Sequence, residues 1–188
     1  LARALRARRR ERDALPYVRR AVAGGDSSGA TLVLLGALLA AAGQLTEAER
    51  TYQAAARDTA LAPLAVYRRA RLLARRGDPG AVAALSGFAA RFPTDTGAPT
   101  ALYLAADLST EPGARAPAPV RYADLIARFP ADLRSSQARV RLAALELAVH
   151  QGGAGAVPAL VGGLGDASWS VRLAAARLAP GVRDQRLL

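Results

Sequence analysis

Few residues of this 188-residue chain have the types and spacing that chemistry needs. The single histidine, His150, has no second His and no Cys anywhere in the sequence beside it, and zinc binding or nucleophilic catalysis requires such partners. It closes a helical pattern, where a cation suits the negative end of the helix dipole. Glu146, one turn earlier on the same face, is its expected hydrogen-bond partner. A glycosidase-like mechanism needs an acid in a closed cleft, whereas Glu111 stands beside Pro112 in a turn. Gly152-Gly153-Ala-Gly155 and Gly162-Gly163-Leu-Gly165 have the glycine density of phosphate loops. Neither follows a strand or carries the Lys-Ser/Thr of a P-loop, so both are expected to be turns between helices. No catalysis, metal or cofactor is expected of this chain.

The positive charge is concentrated. The first 22 residues hold eight Arg against two acids, Glu11 and Asp13, a surplus of six in a formal net charge of +11. Arg8, Arg9, Arg10 and Arg12 have the charge to neutralise phosphates of nucleic acid or anionic lipid, with binding that falls steeply as salt rises. No aromatic residue is interleaved among them for base stacking, and a solvated helix face is the preferred reading. Trp169, the only Trp, is expected to pack against the hairpin before it.

What must position these residues is a helical chain. Hydrophobic residues make up 52% of the sequence, with 47 Ala and 28 Leu but one Ile, Ile126, and three Phe. Strands favour β-branched and aromatic residues, and small side chains let helices pack closely, so the fold class is all-α. All 26 basic residues are Arg, which with the Ala bias points to a high-GC bacterial genome. No Met occurs, so a processed chain or a fragment of something longer is expected; the absence of Cys excludes disulfides. The longest apolar run, Ala30 to Ala42, is shorter than the ~20 residues a membrane helix needs, and a buried helix is expected there.

A period of 34 residues runs through the first half. Leu5, Leu39 and Leu73 share one column, Ala21, Ala55 and Ala89 another, Ala14, Ala48 and Val82 a third, Ala2, Gly36 and Ala70 a fourth, and Gly43 and Gly77 a fifth. Arg91-Phe92-Pro93 recurs as Arg128-Phe129-Pro130. The pattern Gly43, Ala48, Tyr52, Ala55 returns as Gly113, Ala118, Tyr122, Leu125. Apolar spacing within each repeat is helical, Gly43 sits where the chain must reverse, and Thr46 is placed to cap the second helix. These features predict about five helix hairpins, with helices near 1–10, 13–23, 30–42, 46–57, 63–76, 79–91, 98–109, 117–128, 134–149, 155–164 and 168–178. Residues Glu111 to Pro119 read as a lengthened turn.

The run Leu32, Leu35-Gly36, Leu39, Gly43, Ala48, Tyr52, Ala55 resembles a tetratricopeptide repeat. Residues 1–149 are similar to such repeats. Residues 150–188, with Pro158, Asp166, Val171 and Arg172, resemble a HEAT repeat or a drifted copy of the preceding one, continuous with the same array. The likeness implies a right-handed α-solenoid, with Asp166 and Arg172 bracing neighbouring repeats. The Arg-Phe-Pro endings are similar to repeats of bacterial envelope proteins, including the superhelix of soluble lytic transglycosylases.

In tetratricopeptide solenoids the first helix of each pair lines a concave groove. The matching columns here hold Tyr67 with Tyr103, then Arg71 with Asp107 and Glu146, then Arg75 with Glu111 and His150. Tyr and Arg often anchor interfaces. The resemblance therefore implies a non-catalytic scaffold that holds a protein or peptide partner in the groove. The alternatives are the helical arm of a larger envelope enzyme, such as a lytic transglycosylase, and an anionic-surface or nucleic-acid binder using the N-terminal Arg cluster. A Lys- and Asn-based carboxylate clamp is excluded, because the chain has neither residue. The compartment stays open between bacterial cytoplasm and periplasm, and the envelope likeness slightly favours the periplasm.

Overall fold

A computed structural model describes residues 11–110, 118–149 and 154–182, and every regular element among them is helical. Ten α-helices follow one another: α1 (Glu11–Ala23), α2 (Gly29–Ala41), α3 (Leu45–Ala55), α4 (Ala62–Arg76), α5 (Ala81–Arg91), α6 (Ala98–Leu108), α7 (Ala118–Arg128), α8 (Leu133–Val149), α9 (Val157–Leu164) and α10 (Trp169–Leu178). Single 3-10 turns span Ala154–Ala156 and Ala179–Gly181. The expected helix at 1–10 and the greater part of the stretch expected as a lengthened turn lie outside the described residues.

The described residues form two compact units, one ending at Asp95 and one beginning at Thr96. Residue 149, the end of the expected tetratricopeptide-like segment, lies inside the second. In the first unit each of α1–α5 packs on the next, and α2 also touches α4. In the second each of α6–α10 packs on the next, and the contacts α6 with α8 and α8 with α10 again skip one helix. Packing in sequence pairs, with contact to the helix after next, is the pattern of a helical repeat array.

The repeat columns show why the first unit packs this way. Leu39, Leu73, Ala48, Ala55, Ala70 and Ala89 are buried, whereas Ala21, in the same column as Ala55, is exposed. The apolar helix α2 buries Val33, Leu35, Leu38 and Leu39, and each Leu or Val so removed from water contributes about 1.5–3 kcal/mol. Gly36 faces α3, where the Tyr52 ring occupies the space a side chain would need. Among the described residues no helix is long and apolar enough to cross a membrane.

Helix ends follow local chemistry. Gly43 and Gly77 have φ of +79° and +69°, values that favour glycine. At α4 the Gly77 and Asp78 amides donate to the Ala74 and Leu73 carbonyls, closing the helix. The Ser28 hydroxyl accepts from the Thr31 amide at 3.4 Å and caps α2. The expected Thr46 cap is corrected: α3 begins one residue earlier, at Leu45, so Thr46 lies in its first turn and Gln44 holds the cap position without a side-chain bond. In both Arg-Phe-Pro segments the helix ends at the Arg, whose guanidinium lies over the next ring, 5.1 Å from Phe92 and 5.5 Å from Phe129. The following Pro has no N–H with which to continue the helix.

The end of the second unit rests on close backbone approach. Gly162 and Gly163, whose glycine density reads as a turn but which fall inside the expected helix 155–164, belong to the last turn of α9, and Gly165 caps it. A methyl group on Gly163 would stand 2.8 Å from Ala175 Cβ of α10 and 3.0 Å from Val140 Cγ2 of α8, so glycine permits both neighbours to close on α9. The Asp166 carboxylate accepts from the Ser168 amide at 2.8 Å and from the Ser136 hydroxyl on α8. Arg172 donates to the Asp166 and Ala167 carbonyls at 2.7 and 2.8 Å. Both side chains thus fix the turn between α9 and α10, and only Asp166, through Ser136, reaches the preceding helix pair; Arg172 does not brace a neighbouring repeat as expected.

Candidate functional site

Each unit carries its own candidate surface. In the first it is built on α4, which starts with Pro63 in its first turn and ends with Arg75 and Arg76 in its last, where cations suit the dipole. At 100° per residue, Arg68, Arg71 and Arg75 fall on one stripe of α4, while Arg69 and Arg76 fall on another, about a third of a turn away. The second stripe is fully engaged. Glu49 on α3 takes Arg69 at 2.9 Å and Arg76 at 3.1 Å, and Asp78 takes Arg76 at 2.6 Å. The Arg76 bond and the Gly80 amide hold the Asp78 carboxyl below its usual range, and the same acids raise Arg76.

The first stripe has no such partners. Arg68, Arg71 and Arg75 line an open concavity of about 220 Å³ with Tyr52, Leu72 and alanines of α2. Among the described residues no carboxylate reaches any of the three within 4.0 Å. The Arg68 Nε–H is buried and has no acceptor. The Arg71 guanidinium lies over the Tyr67 ring, 5.6 Å from its centroid, and that ring packs against Phe88 of α5 at 5.1 Å. Arg71 and Arg75 therefore stand together as the repeat columns predicted, with Tyr67 beside Arg71 rather than in the lining. Arg68 and Tyr52 are additions, and the i, i+3, i+7 spacing of the three Arg is the signal that finds Arg68.

In the second unit Tyr103 and Asp107 stand one turn apart on α6, as predicted, and the structure adds three residues to them. The Tyr122 hydroxyl of α7 donates to Asp107, and the two tyrosine rings are 5.8 Å apart. Burial pushes the Tyr122 phenol up, and the Asp107 bond pushes it further. Arg141 of α8 donates from Nε to the Tyr103 hydroxyl at 3.2 Å and lies 3.7 Å from Asp107, contacts that raise it. Arg134 lies over the Tyr103 ring at 5.6 Å. Tyr103, Arg141 and Arg177 border a concavity of about 380 Å³ whose apolar side is Val140, Val171 and Leu178.

Sequence alignment by columns paired Asp107 with Glu146, 39 residues on. The residue Asp107 meets is Arg141, and 34 residues separate them, one repeat. Thr100 accepts from Arg134 at 3.4 Å across the same interval. Keeping the period of 34 into the second half is the signal that finds both arginines. Glu146 itself sits elsewhere: its carboxylate occupies the space over the Gly155 α-carbon, at the 3-10 turn before α9.

Trp169 corrects another expectation. It is the first residue of α10 and 68% exposed, because the packed face of that helix is the one bearing Val171 and Ala175. Glu111, His150, Arg8, Arg9 and Arg10 lie outside the described residues, and of Arg12 only the backbone, at the start of α1, is described. Among the described residues no three His, Cys, Asp or Glu side chains gather as a metal site would require.

Compared with known proteins, the chain matches no family model and no curated sequence.

Proposed function

We propose that this chain is a right-handed α-solenoid of tetratricopeptide type, with a HEAT-like last pair, and that it is a non-catalytic scaffold holding a protein or peptide partner. The solenoid reading is supported by packing that runs in sequence pairs and skips one helix in both units, and by contacts such as Asp107 with Arg141 that span one repeat. A stack of this kind buries each hairpin against its neighbours and leaves an extended surface for binding.

One observation carries the binding reading: in each unit an open concavity is bordered by Arg beside a Tyr, Arg68, Arg71 and Arg75 with Tyr67 under Arg71 in the first, and Arg141 and Arg177 with Tyr103 in the second. These residue types combine large contact area with directional hydrogen bonding and dominate the energetics of interfaces. The test is affinity capture with the chain and with a variant carrying Tyr67→Ala, Arg71→Ala and Tyr103→Ala, both checked for helicity by circular dichroism. Partners held by the chain and lost by the folded variant support the reading. Capture that is the same for both counts against it.

A further inference from the structure

We propose that the concavity of the first unit binds an extended, acidic segment of a partner protein, reading carboxylates at alternate positions through Arg68, Arg71 and Arg75. This rests on the scaffold reading above and gives the partner a chemistry.

Charge complementarity is the first argument. The acids that pair with arginines of α4, Glu49 and Asp78, are committed to Arg69 and Arg76 on the other stripe. Three guanidiniums therefore line one concavity with no carboxylate among the described residues to balance them. Like charges so placed repel, and bound anions relieve that repulsion. The Arg68 Nε–H is buried without an acceptor, so the terminal nitrogens of that guanidinium are the ones left to meet an incoming carboxylate. Arg suits the task, because its planar fork matches a carboxylate in two parallel hydrogen bonds.

Spacing is the second argument. Along a helix axis Arg71 and Arg75 are separated by about 6 Å, and Arg68 lies about 4.5 Å before Arg71. An extended chain repeats its same-face side chains every ~6.6–6.8 Å. Carboxylates two residues apart therefore meet Arg75 and the Arg68–Arg71 pair in turn. Carboxylates three residues apart point to opposite faces, so only one of them reaches the row.

The shape of the site selects a peptide. At about 220 Å³ the concavity is smaller than the ~300–1,000 Å³ of pockets that enclose small molecules. Its lining includes Ala37, Ala40 and Ala41, whose short side chains let a backbone lie close. Single-stranded nucleic acid needs aromatic faces for its bases. Here Tyr52 is buried against Gly36, and the Tyr67 ring lies between Arg71 and Phe88.

The experiment uses the full chain and fluorescence anisotropy. One labelled dodecapeptide has four Glu at alternate positions in a Gly/Ser background. A second has the same composition with its four Glu at every third position, and a labelled oligouridylate matches their charge. The alternate peptide is expected to bind at least fivefold more tightly than the every-third peptide. Arg68→Gln, Arg71→Gln and Arg75→Gln together are expected to weaken it at least thirtyfold, and Arg20→Gln, on α1, to change it less than twofold. Circular dichroism confirms that each variant keeps its helices.

Equal affinity for the two peptides, retention of affinity by the folded triple variant, or tighter binding of the oligouridylate overturns the proposal. So does the absence of binding by the alternate peptide. If the scaffold still captures a partner through Tyr103 while the alternate peptide fails, this inference falls alone. If capture fails and the alternate peptide binds through the three Arg, the broader groove reading falls and the acidic site remains.

Discussion

The Tyr52 ring of α3 lies directly on the α-carbon of Gly36 in α2: a methyl group there would stand 2.7 Å from Cε1 of the ring. Two helices of one hairpin thus meet through a residue with no side chain and a residue with a large one. Tyr52 is only 3% exposed and belongs to the apolar core with Leu35, Leu39 and Ala48, so displacing its ring disturbs that packing. Gly36→Ala is expected to destabilise the first unit by about 1–3 kcal/mol, the usual cost of overpacking a filled core. Thermal denaturation measures it. Adding Tyr52→Leu, which removes the obstructing ring edge, should make the alanine cost less than it does alone, a coupling that a double-mutant cycle reads directly.

The adjacent glycines of α9 should respond with opposite signs. Nothing lies within 4 Å of a Cβ added at Gly162, whereas one at Gly163 meets Ala175 and Val140 at 2.8 and 3.0 Å. Alanine at an open helical position restricts the unfolded chain and stabilises by about 0.5–1 kcal/mol. Gly162→Ala is therefore expected to raise the melting temperature and Gly163→Ala to lower it. Equal effects of the two substitutions would contradict the packing of α9 between α8 and α10.

Most helices were legible because Pro and Gly punctuate the chain: Pro63 opens α4, Gly77 closes it, and Pro93 and Pro130 follow α5 and α7. Those residues act through their own backbone, so one sequence suffices to read them. The side-chain clusters were less legible because they depend on register between helices far apart in sequence. Arg71, Arg75 and Tyr103 border concavities, whereas Tyr67 stands beside one, and a gap of 39 in place of 34 led from Asp107 to Glu146 and past Arg141. Trp169 was expected to pack on the general habit of Trp, yet its place at the first turn of α10 leaves it facing solvent. Nothing local in the sequence distinguishes the two outcomes.

Asp166 gives the second unit an acid-sensitive contact. The Ser168 amide and the Ser136 hydroxyl both donate to its carboxylate and hold its pKa below the usual carboxyl value, outweighing the opposing effect of burial. A carboxyl whose folded value is depressed contributes fully above its unfolded value, near 3.9, and loses that contribution as pH falls through the folded value. Stability of the second unit is thus expected to drop below about pH 4 by an amount that Asp166→Asn removes. At neutral pH the same substitution is expected to cost about 0.5–1.5 kcal/mol, the net worth of one such bond. Urea denaturation followed at pH 7 and pH 3 separates the two effects.

Tyr122 should govern the alkaline limb of the same unit. Its ring is fully buried, its hydroxyl donates to Asp107, and both facts favour the protonated phenol, with burial the larger cause. Ionisation would bury a phenolate against a carboxylate. A phenol whose folded value is raised contributes stability that is complete below its unfolded value, near 10, and is lost as pH rises toward the folded one. The chain is therefore expected to lose stability steadily above about pH 10, and Tyr122→Phe, which has no proton to lose, to flatten that decline. At pH 7 the substitution removes a hydrogen bond to a charged acceptor and is expected to cost about 1.5–3 kcal/mol. Asp107 keeps Arg141 at 3.7 Å in the variant, so the cost should lie toward the lower end. Guanidinium denaturation between pH 7 and 11 checks both points, and an alkaline slope unchanged by Tyr122→Phe would show that another group carries it.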